Sequence, residues 1–435
     1  MMDEVSAGTE SSLPKSTSLS GNRNFVRLFT AQLTSLVGSG VTSVALAAFA
    51  YQLTGRDATV VVGSALTLRI LAFVLFSPIA GILADRVDRK RLLVTADLLR
   101  VGLLGAFPFI TTVWQIYILI FAINAVTAFF TPTFEATIPD VVGPSLYTRA
   151  ISWSRVTADA EAAGGPLLAG VLIATAGVRW AFWFDGLTYL VSAILVYRSQ
   201  VPRAAIPKAR FPWNDLVPQI TLGTRILLRE PALRRALVLH IAEAAAGAAA
   251  IVATVVYVRD VLGLGNAAFA AAMVALGVGS SVAALLAARQ AEHISERSLD
   301  PEVTHIRYHA WARRTMLYGA ALLTVALLPG ILRPSFVVLL VLWALNGAGQ
   351  ALIAVPSVGL LAAHTNSAER GRAYAAHFAL THFFWLVTYP TVGYLARDAG
   401  VPRTFTFAGI AAGLLTLIAL GMRGQHRPHP IASAA

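Results

Sequence analysis

The chain has 435 residues, 57% of them apolar and only 13% charged, with a mean hydropathy of +0.68. A soluble domain carries about 25% charge, so this composition excludes a water-soluble globular fold and points to an all-α integral membrane protein. The net charge of +12 would suggest a nucleic-acid partner in a soluble protein; here the basic residues sit in short loops between apolar runs, so no nucleic acid is expected and their counterpart is the anionic inner leaflet of the bilayer.

Taken in order, the chain begins with a Ser-rich polar stretch, 1–21, without the apolar core of a signal peptide. It is expected to be a disordered cytoplasmic tail. A spanning helix needs about 20 apolar residues. Twelve runs meet that need: Phe25–Leu53, Val60–Leu83, Leu92–Thr111, Val113–Phe134, Ile151–Ala176, Trp180–Tyr197, Ala236–Val258, Ala267–Ala288, Thr315–Leu332, Phe336–Ala362, Ala373–Ala396 and Phe405–Met422. With both ends placed inside, Arg56, Arg179, Arg259, Arg333, Arg397 and Arg403 fall on outer loops. Arg69, Arg100 and Arg155 fall within helices, and the remaining Lys and Arg face the cytoplasm, as basic loops do.

The longest polar interruption, from Arg198 to Arg235, holds Pro202, Pro207, Pro212 and Pro218, then an amphipathic piece around Ile220–Leu228. It reads as a linker between two repeated halves. Pro132 matches Pro356, Arg149-Ala150 matches Arg372-Ala373, and Pro166 matches Pro390, all at nearly one offset. Paired six-helix halves are an architecture of rocking transporters. The expected organisation is therefore a first bundle over 22–199, a cytoplasmic linker over 200–234, a second bundle over 235–422 and a cytoplasmic tail over 423–435.

The densest charge lies between the second and third runs, where Gly81 to Arg91 reads G-I-L-A-D-R-V-D-R-K-R. Arg86, Arg89, Lys90 and Arg91 mark this loop as cytoplasmic. The pattern G-x-x-x-D-R-x-x-R-K resembles the loop between helices 2 and 3 of the major facilitator superfamily, which places Gly where this chain has Asp88. The resemblance implies twelve transmembrane helices in two pseudo-symmetric six-helix bundles. It also implies that Gly81, Asp85, Arg86, Arg89 and Lys90 form a cytoplasmic gate that latches in the outward-open state. Between the eighth and ninth runs Arg289 and Arg297 remain basic, but the pattern is lost. The bland alternative is a purely topogenic basic loop.

The fifth run carries Gly164-Gly165-Pro166-Leu-Leu-Ala169-Gly170. Small residues let helices approach closely, and Pro removes a helix hydrogen bond. The stretch resembles the antiporter motif of drug exporters, with Gly165, Pro166 and Gly170 in place and Ala169 replacing one Gly. A simple close helix crossing would use the same residues.

Charge inside a bilayer is costly and ordinarily faces a cavity or a partner. Arg69 lies near the middle of the second run. Asp97 and Arg100 stand at i, i+3 on the third, and Arg155 and Asp159 at i, i+4 on the fifth, with Glu161 beyond. The two pairs are either neutralised partners on one helix face or part of a proton path. Glu161 and Glu243 lack an obvious cation partner in the same helix, and a buried lone carboxylate is pushed towards protonation, the property a proton-coupling group needs. His240 and Glu243 stand at i, i+3 on the seventh run; His377 and His382 lie on the eleventh. Gln32, Ser39, Asn124, Asn346 and Gln350 are candidate cavity polar groups, and Trp343, Phe383, Trp385 and Tyr389 candidate aromatic contacts for an amphiphile. Of these, Gln32, Asn124, Asn346, His382 and Trp385 are the expected substrate cavity.

A closer resemblance rests on Ser154-Arg155-x-x-x-Asp159-x-Glu161, on Glu243-Ala-Ala-Ala-Gly247 and on Ala376-His377-Phe-Ala-Leu-Thr-His382 with Thr388-Tyr389-Pro390. These resemble nickel-resistance permeases, within an exporter branch that includes macrolide-efflux and enterobactin-exporter proteins and covers nearly the whole chain. The resemblance implies a monomeric, multi-pass cell-membrane transporter with both termini cytoplasmic, coupling protons to efflux of a small amphiphilic compound. The alternative it implies is a nickel or cobalt exporter using His240, His377 and His382, since imidazole suits these metals. There is no Gly-Lys dipeptide and hence no P-loop, no H-E-x-x-H and no cysteine. No enzyme activity and no cofactor are expected. A channel or a silent receptor on the same fold stays open.

Overall fold

The computed structural model describes residues 19, 21–84, 87–142, 165, 168–201, 213–296, 300–365 and 367–422. Among them there are helices and no strands. The first half comprises α1 (Arg23–Thr54), α2 (Ala58–Ala84), α3 (Arg89–Ala106), α4 (Val113–Val142), α5 (168–175) and α6 (Val178–Tyr197). The amphipathic linker helix α7 (Trp213–Arg229) follows. The second half comprises α8 (Pro231–Val256), α9 (Asn266–Glu296), α10 (Pro301–Leu327), α11 (Phe336–Ala363), α12 (Ser367–Ala399) and α13 (Val401–Gly421).

Among the described residues nine segments are long and apolar enough to cross a membrane, one of them running continuously through α1 and α2 from Arg23 to Phe76. Several helices outgrow the apolar runs that foretold them: α4 continues to Val142, α9 to Glu296, α10 begins at Pro301 and α12 at Ser367. A polar first or last turn beyond the hydrocarbon still satisfies its own backbone, so the helix need not end where the apolar run does.

Local sequence sets the helix ends. The Asn22 side chain accepts from the backbone N–H groups of Asn24 and Phe25, both at 3.1 Å, and caps α1. Asp88, the departure from the family pattern, accepts from the Arg91 N–H at 3.1 Å and caps α3. A carboxylate at that position satisfies an orphan donor that glycine would leave to solvent. α8 ends in a π turn, Tyr257–Val261, which carries Arg259 and Asp260. Such turns recur at functional sites.

Each half has an aromatic centre. In the first, Phe107 stacks on Phe182 at 4.1 Å, with Phe49 edge-on to Phe182 at 5.6 Å. In the second, Trp343 packs edge-on to Phe405 at 5.1 Å and donates its indole N–H to Thr254 at 2.9 Å. The halves meet at the end remote from α7. There Thr59 of α2 donates to the Gly393 carbonyl of α12 at 3.0 Å. A Cβ on Gly63 would lie 2.5 Å from the Tyr389 carbonyl oxygen, so glycine permits this close crossing.

Candidate functional site

The chemistry gathers where α2, α8, α11 and α12 converge. His240 and Glu243 lie one turn apart on α8, and His240 Nδ1 is hydrogen-bonded to Glu243 Oε2. His240 Nε2 pairs with the Ser357 hydroxyl of α11 at 2.9 Å. The Glu243 carboxylate is thus held by an imidazole on its own helix. His377 of α12 sits edge-on to His240, ring centres 5.0 Å apart, and its buried Nε2 has no hydrogen-bond partner among the described residues. His382 Nδ1 donates to the Phe378 carbonyl at 2.8 Å. Arg69 and Glu243 both act electrostatically on His382.

The Ala-rich run after Glu243 explains how α12 comes so near. A Cβ on Gly247 would lie 2.2 Å from Trp385 Cη2, and Thr388 donates to the Ala244 carbonyl at 3.2 Å. Small side chains on α8 leave room for the aromatic face of α12. Trp385 and Tyr389 contact each other at 5.1 Å, and Phe383 is exposed.

Several expected cavity groups are placed otherwise. Asn346 is fully buried; its amide donates to the Ala246 carbonyl at 3.5 Å and its oxygen accepts from Gln350 at 2.7 Å. It ties α11 to α8 and lines no open space. Trp343, expected as a substrate contact, is spent on Thr254 and Phe405. Asn124 is buried and bonds the Ile120 carbonyl of its own helix at 2.7 Å. Polar side chains in apolar helices bond the nearest free carbonyl or neighbouring helix, and only geometry separates that use from ligand binding. Gln32 is half-buried on α1, and Ser39 pairs with the Tyr189 hydroxyl at 2.8 Å.

In the first half Asp97 and Arg100 form an ion pair, both buried. Ser192 donates to the other Asp97 oxygen at 2.8 Å, and the Arg100 guanidinium lies 4.2 Å from the Phe130 ring centre and 4.1 Å from that of Tyr189. This pair joins α3 to α4 and α6 and is satisfied where it stands. Arg155, Asp159, Glu161, Pro166, Asp85 and Arg86 lie outside the described residues. Gly165 faces Gly40 of α1 so closely that a Cβ would meet its Cα at 2.6 Å. Gly170 has the same relation to Ala270 of α9, at 2.8 Å from its Cβ.

Of the gate residues, Gly81 lies in the last turn of α2. Arg89 pairs with Asp140 of α4, and Lys90 sits 5.1 Å from the Tyr197 ring centre. At the opposite end an ionic contact joins the halves. Tyr51 of α1 donates to Asp260 Oδ1, Arg56 Nε donates to Asp260 Oδ2 at 2.9 Å, and the Arg259 guanidinium lies 5.1 Å from the Tyr51 ring centre.

Two groups escaped the sequence reading. Asp185 of α6 is buried, accepting from Thr42 at 2.6 Å and from Thr188 at 3.2 Å. A carboxylate inside an apolar run is the signal that singles out Glu243, and Asp185 carries it too. His305 and His309, one turn apart on α10, gather with His364, ring centres 4.2 and 4.6 Å apart along that chain. The spacing His305-x-x-x-His309 was the available sign. Among the described residues no group of three or more His, Asp or Glu is arranged to hold a metal ion, and that includes His240, His377 and His382.

The family model described as Major Facilitator Superfamily matches residues 28–299 and 309–435. The chain belongs to the major facilitator superfamily. Among curated proteins, this superfamily member is similar to the uncharacterized MFS-type transporter YfiS of Bacillus subtilis, with 23% identity over 80% of this chain and 82% of that one. It is similar to macrolide efflux protein A of Streptococcus pyogenes at 27% over 41% of this chain and 45% of that one. A multi-drug resistance efflux pump, PmrA of Streptococcus pneumoniae, is 30% identical over 31% and 33%. The chain thus spans less than half the length of these two efflux proteins. Among solved structures, a bacterial homolog of the human lysosomal transporter Spinster superposes with a TM-score of 0.73 at 13% identity, covering 94% of this chain and 99% of that one. A peptide transporter, POT, gives 0.71 at 14% identity, over 94% and 96%. Both likenesses establish the fold.

Proposed function

We propose that this superfamily member is a proton-coupled exporter of a small amphiphilic compound, working by alternating access in the cell membrane with both termini cytoplasmic. The observation that carries the reading is the His240–Glu243 pair, placed beside Ser357 and His377 at the convergence of three helices. An imidazole and a carboxylate in contact share one proton, and losing it changes the charge of the site by one unit. That change is what a coupling group must deliver.

The cytoplasmic side is taken as the side of α7 and the basic loops. With that orientation, the contacts among Tyr51, Arg56, Asp260, Thr59 and Gly393 close the outer side. The halves then stand in an inward-facing arrangement. Arg89 pairs with Asp140 within its own half, and it is proposed as part of a cytoplasmic gate together with Gly81, Asp85, Arg86 and Lys90. Efflux as the direction is supported by the named macrolide and multidrug pumps among the relatives and by the close approach at Gly165. Asp159 and Glu161 are further proposed coupling groups.

The test is proton movement in proteoliposomes under an imposed pH gradient. The added panel comprises macrolides, tetracyclines, lipophilic cations, organic carboxylates, Ni²⁺ and Co²⁺. Proton movement with an organic compound, lost in Glu243→Gln, is expected. Movement only with Ni²⁺ or Co²⁺, lost in His382→Ala, would replace the reading with metal export.

A further inference from the structure

Arg69 stands near the middle of the 27-residue α2, about 16 Å from its first residue and about 22 Å from its last at about 1.5 Å per residue. Among the described residues its guanidinium makes no hydrogen bond and no ion pair, yet it acts electrostatically on His382 and Tyr389 of α12. An unpaired cation at bilayer depth is costly unless it faces water or a partner.

The helix periodicity says which it faces. Residues three, four and seven before it, Leu66, Ala65 and Val62, are buried on the same stripe, while Leu71, Val74 and Leu75 on the far side are exposed as a lipid-facing surface. Arg69 itself is exposed. The interior stripe of α2 is therefore closed against neighbouring helices up to Leu66 and opens at Arg69 into the space between the halves. Glu243, the candidate counter-ion that acts on the same His382, is engaged by His240 on its own helix. Among the described residues, His382 and Tyr389 lie within the field of Arg69, and Gln350 and Trp385 meet beside Gly247 of α8.

We infer that Arg69 is the anchor for an anionic group of the transported compound, and that the substrate is an amphiphile carrying a carboxylate or a like anion beside an aromatic or apolar body. A planar guanidinium takes a carboxylate through two parallel hydrogen bonds, and Trp385, packed with Tyr389, offers the apolar contact. The depth of Arg69 excludes a lipid headgroup seated in its own leaflet as the source of the anion. This inference rests on the proposed central site between the halves, but not on proton coupling or on the direction of transport.

Three probes with one ring system test it: 2-naphthoate, 2-naphthalenemethanol and 2-naphthylmethylammonium, titrated by calorimetry into the purified full chain in neutral detergent. The wild type is expected to bind the carboxylate about tenfold or more tighter than the alcohol, the size of one charge-assisted contact, and to bind the ammonium most weakly. Arg69→Gln is expected to remove the preference for the carboxylate while retaining affinity for the alcohol. Arg69→Lys should keep part of it. Equal binding of carboxylate and alcohol by the wild type, or no binding of the carboxylate, overturns the inference without any variant having to fold. A preference unchanged in Arg69→Gln also overturns it. Proton movement that fails in proteoliposomes while the binding preference holds would count against the coupling alone.

Discussion

Tyr51 at the end of α1 donates its hydroxyl to Asp260, which lies 209 residues further along the chain in the π turn that ends α8. The contact joins the two halves at the end remote from the linker, and Arg56 completes it from the first half. An α-helical continuation would turn Asp260 by a different angle about the axis, so the wide π turn is part of how the carboxylate reaches α1.

Removing that carboxylate should loosen the outer closure. The chain has no cysteine, so a single Thr59→Cys reports on its own. In the Asp260→Ala background, labelling of that cysteine by a membrane-impermeant maleimide added outside should rise several-fold over the Thr59→Cys protein alone. Unchanged labelling would show that Tyr51 and Arg56 do not hold the outer side shut.

The crossing of α2 with α12 depends on the absence of a side chain at Gly63, where a Cβ would come within 2.5 Å of a backbone carbonyl oxygen. Gly63→Val should push the helices apart at a cost of about 1–3 kcal/mol, the usual penalty for overpacking. Transport should fall although the protein is still made. Thermal unfolding in detergent reads the first effect and flux the second; wild-type values for both would contradict the crossing.

Asp97 and Arg100 are buried together, and breaking such a pair from one side costs about 3–5 kcal/mol because the survivor stays buried and uncompensated. Arg100→Met alone should lower the unfolding temperature sharply. Adding Asp97→Asn to it should recover part of the loss, since Ser192 can still bond the amide. A double variant no better than the single one would mean that the guanidinium acts through its contacts with Phe130 and Tyr189 rather than through its charge.

The helices were legible because the bilayer demands long apolar runs, and α7 because its apolar residues recur at helical spacing between two such runs. The repeat of Pro132 and Pro356 was legible because nearly the same offset recurs between Pro166 and Pro390. What could not be read was pairing across helices. Asn346 and Gln350 look like cavity groups in one dimension, yet Asn346 bonds the Ala246 carbonyl 100 residues away. Asp88 breaks a family pattern but serves the ordinary need of a helix start. The encounter of His240 with His377 and Ser357 depends on where α8, α11 and α12 cross, and spacing along the chain holds no record of that.

The central claim is that the carboxyl group of Glu243, beside His240, takes up and releases the proton. Infrared difference spectra of the purified protein, recorded across a pH titration, test it without knowledge of the substrate. The account predicts a protonated-carboxyl band that titrates in the wild type, is missing in Glu243→Gln, persists in Asp185→Asn and shifts in His240→Ala. A titrating band untouched by Glu243→Gln would contradict it and move the coupling to another carboxylate.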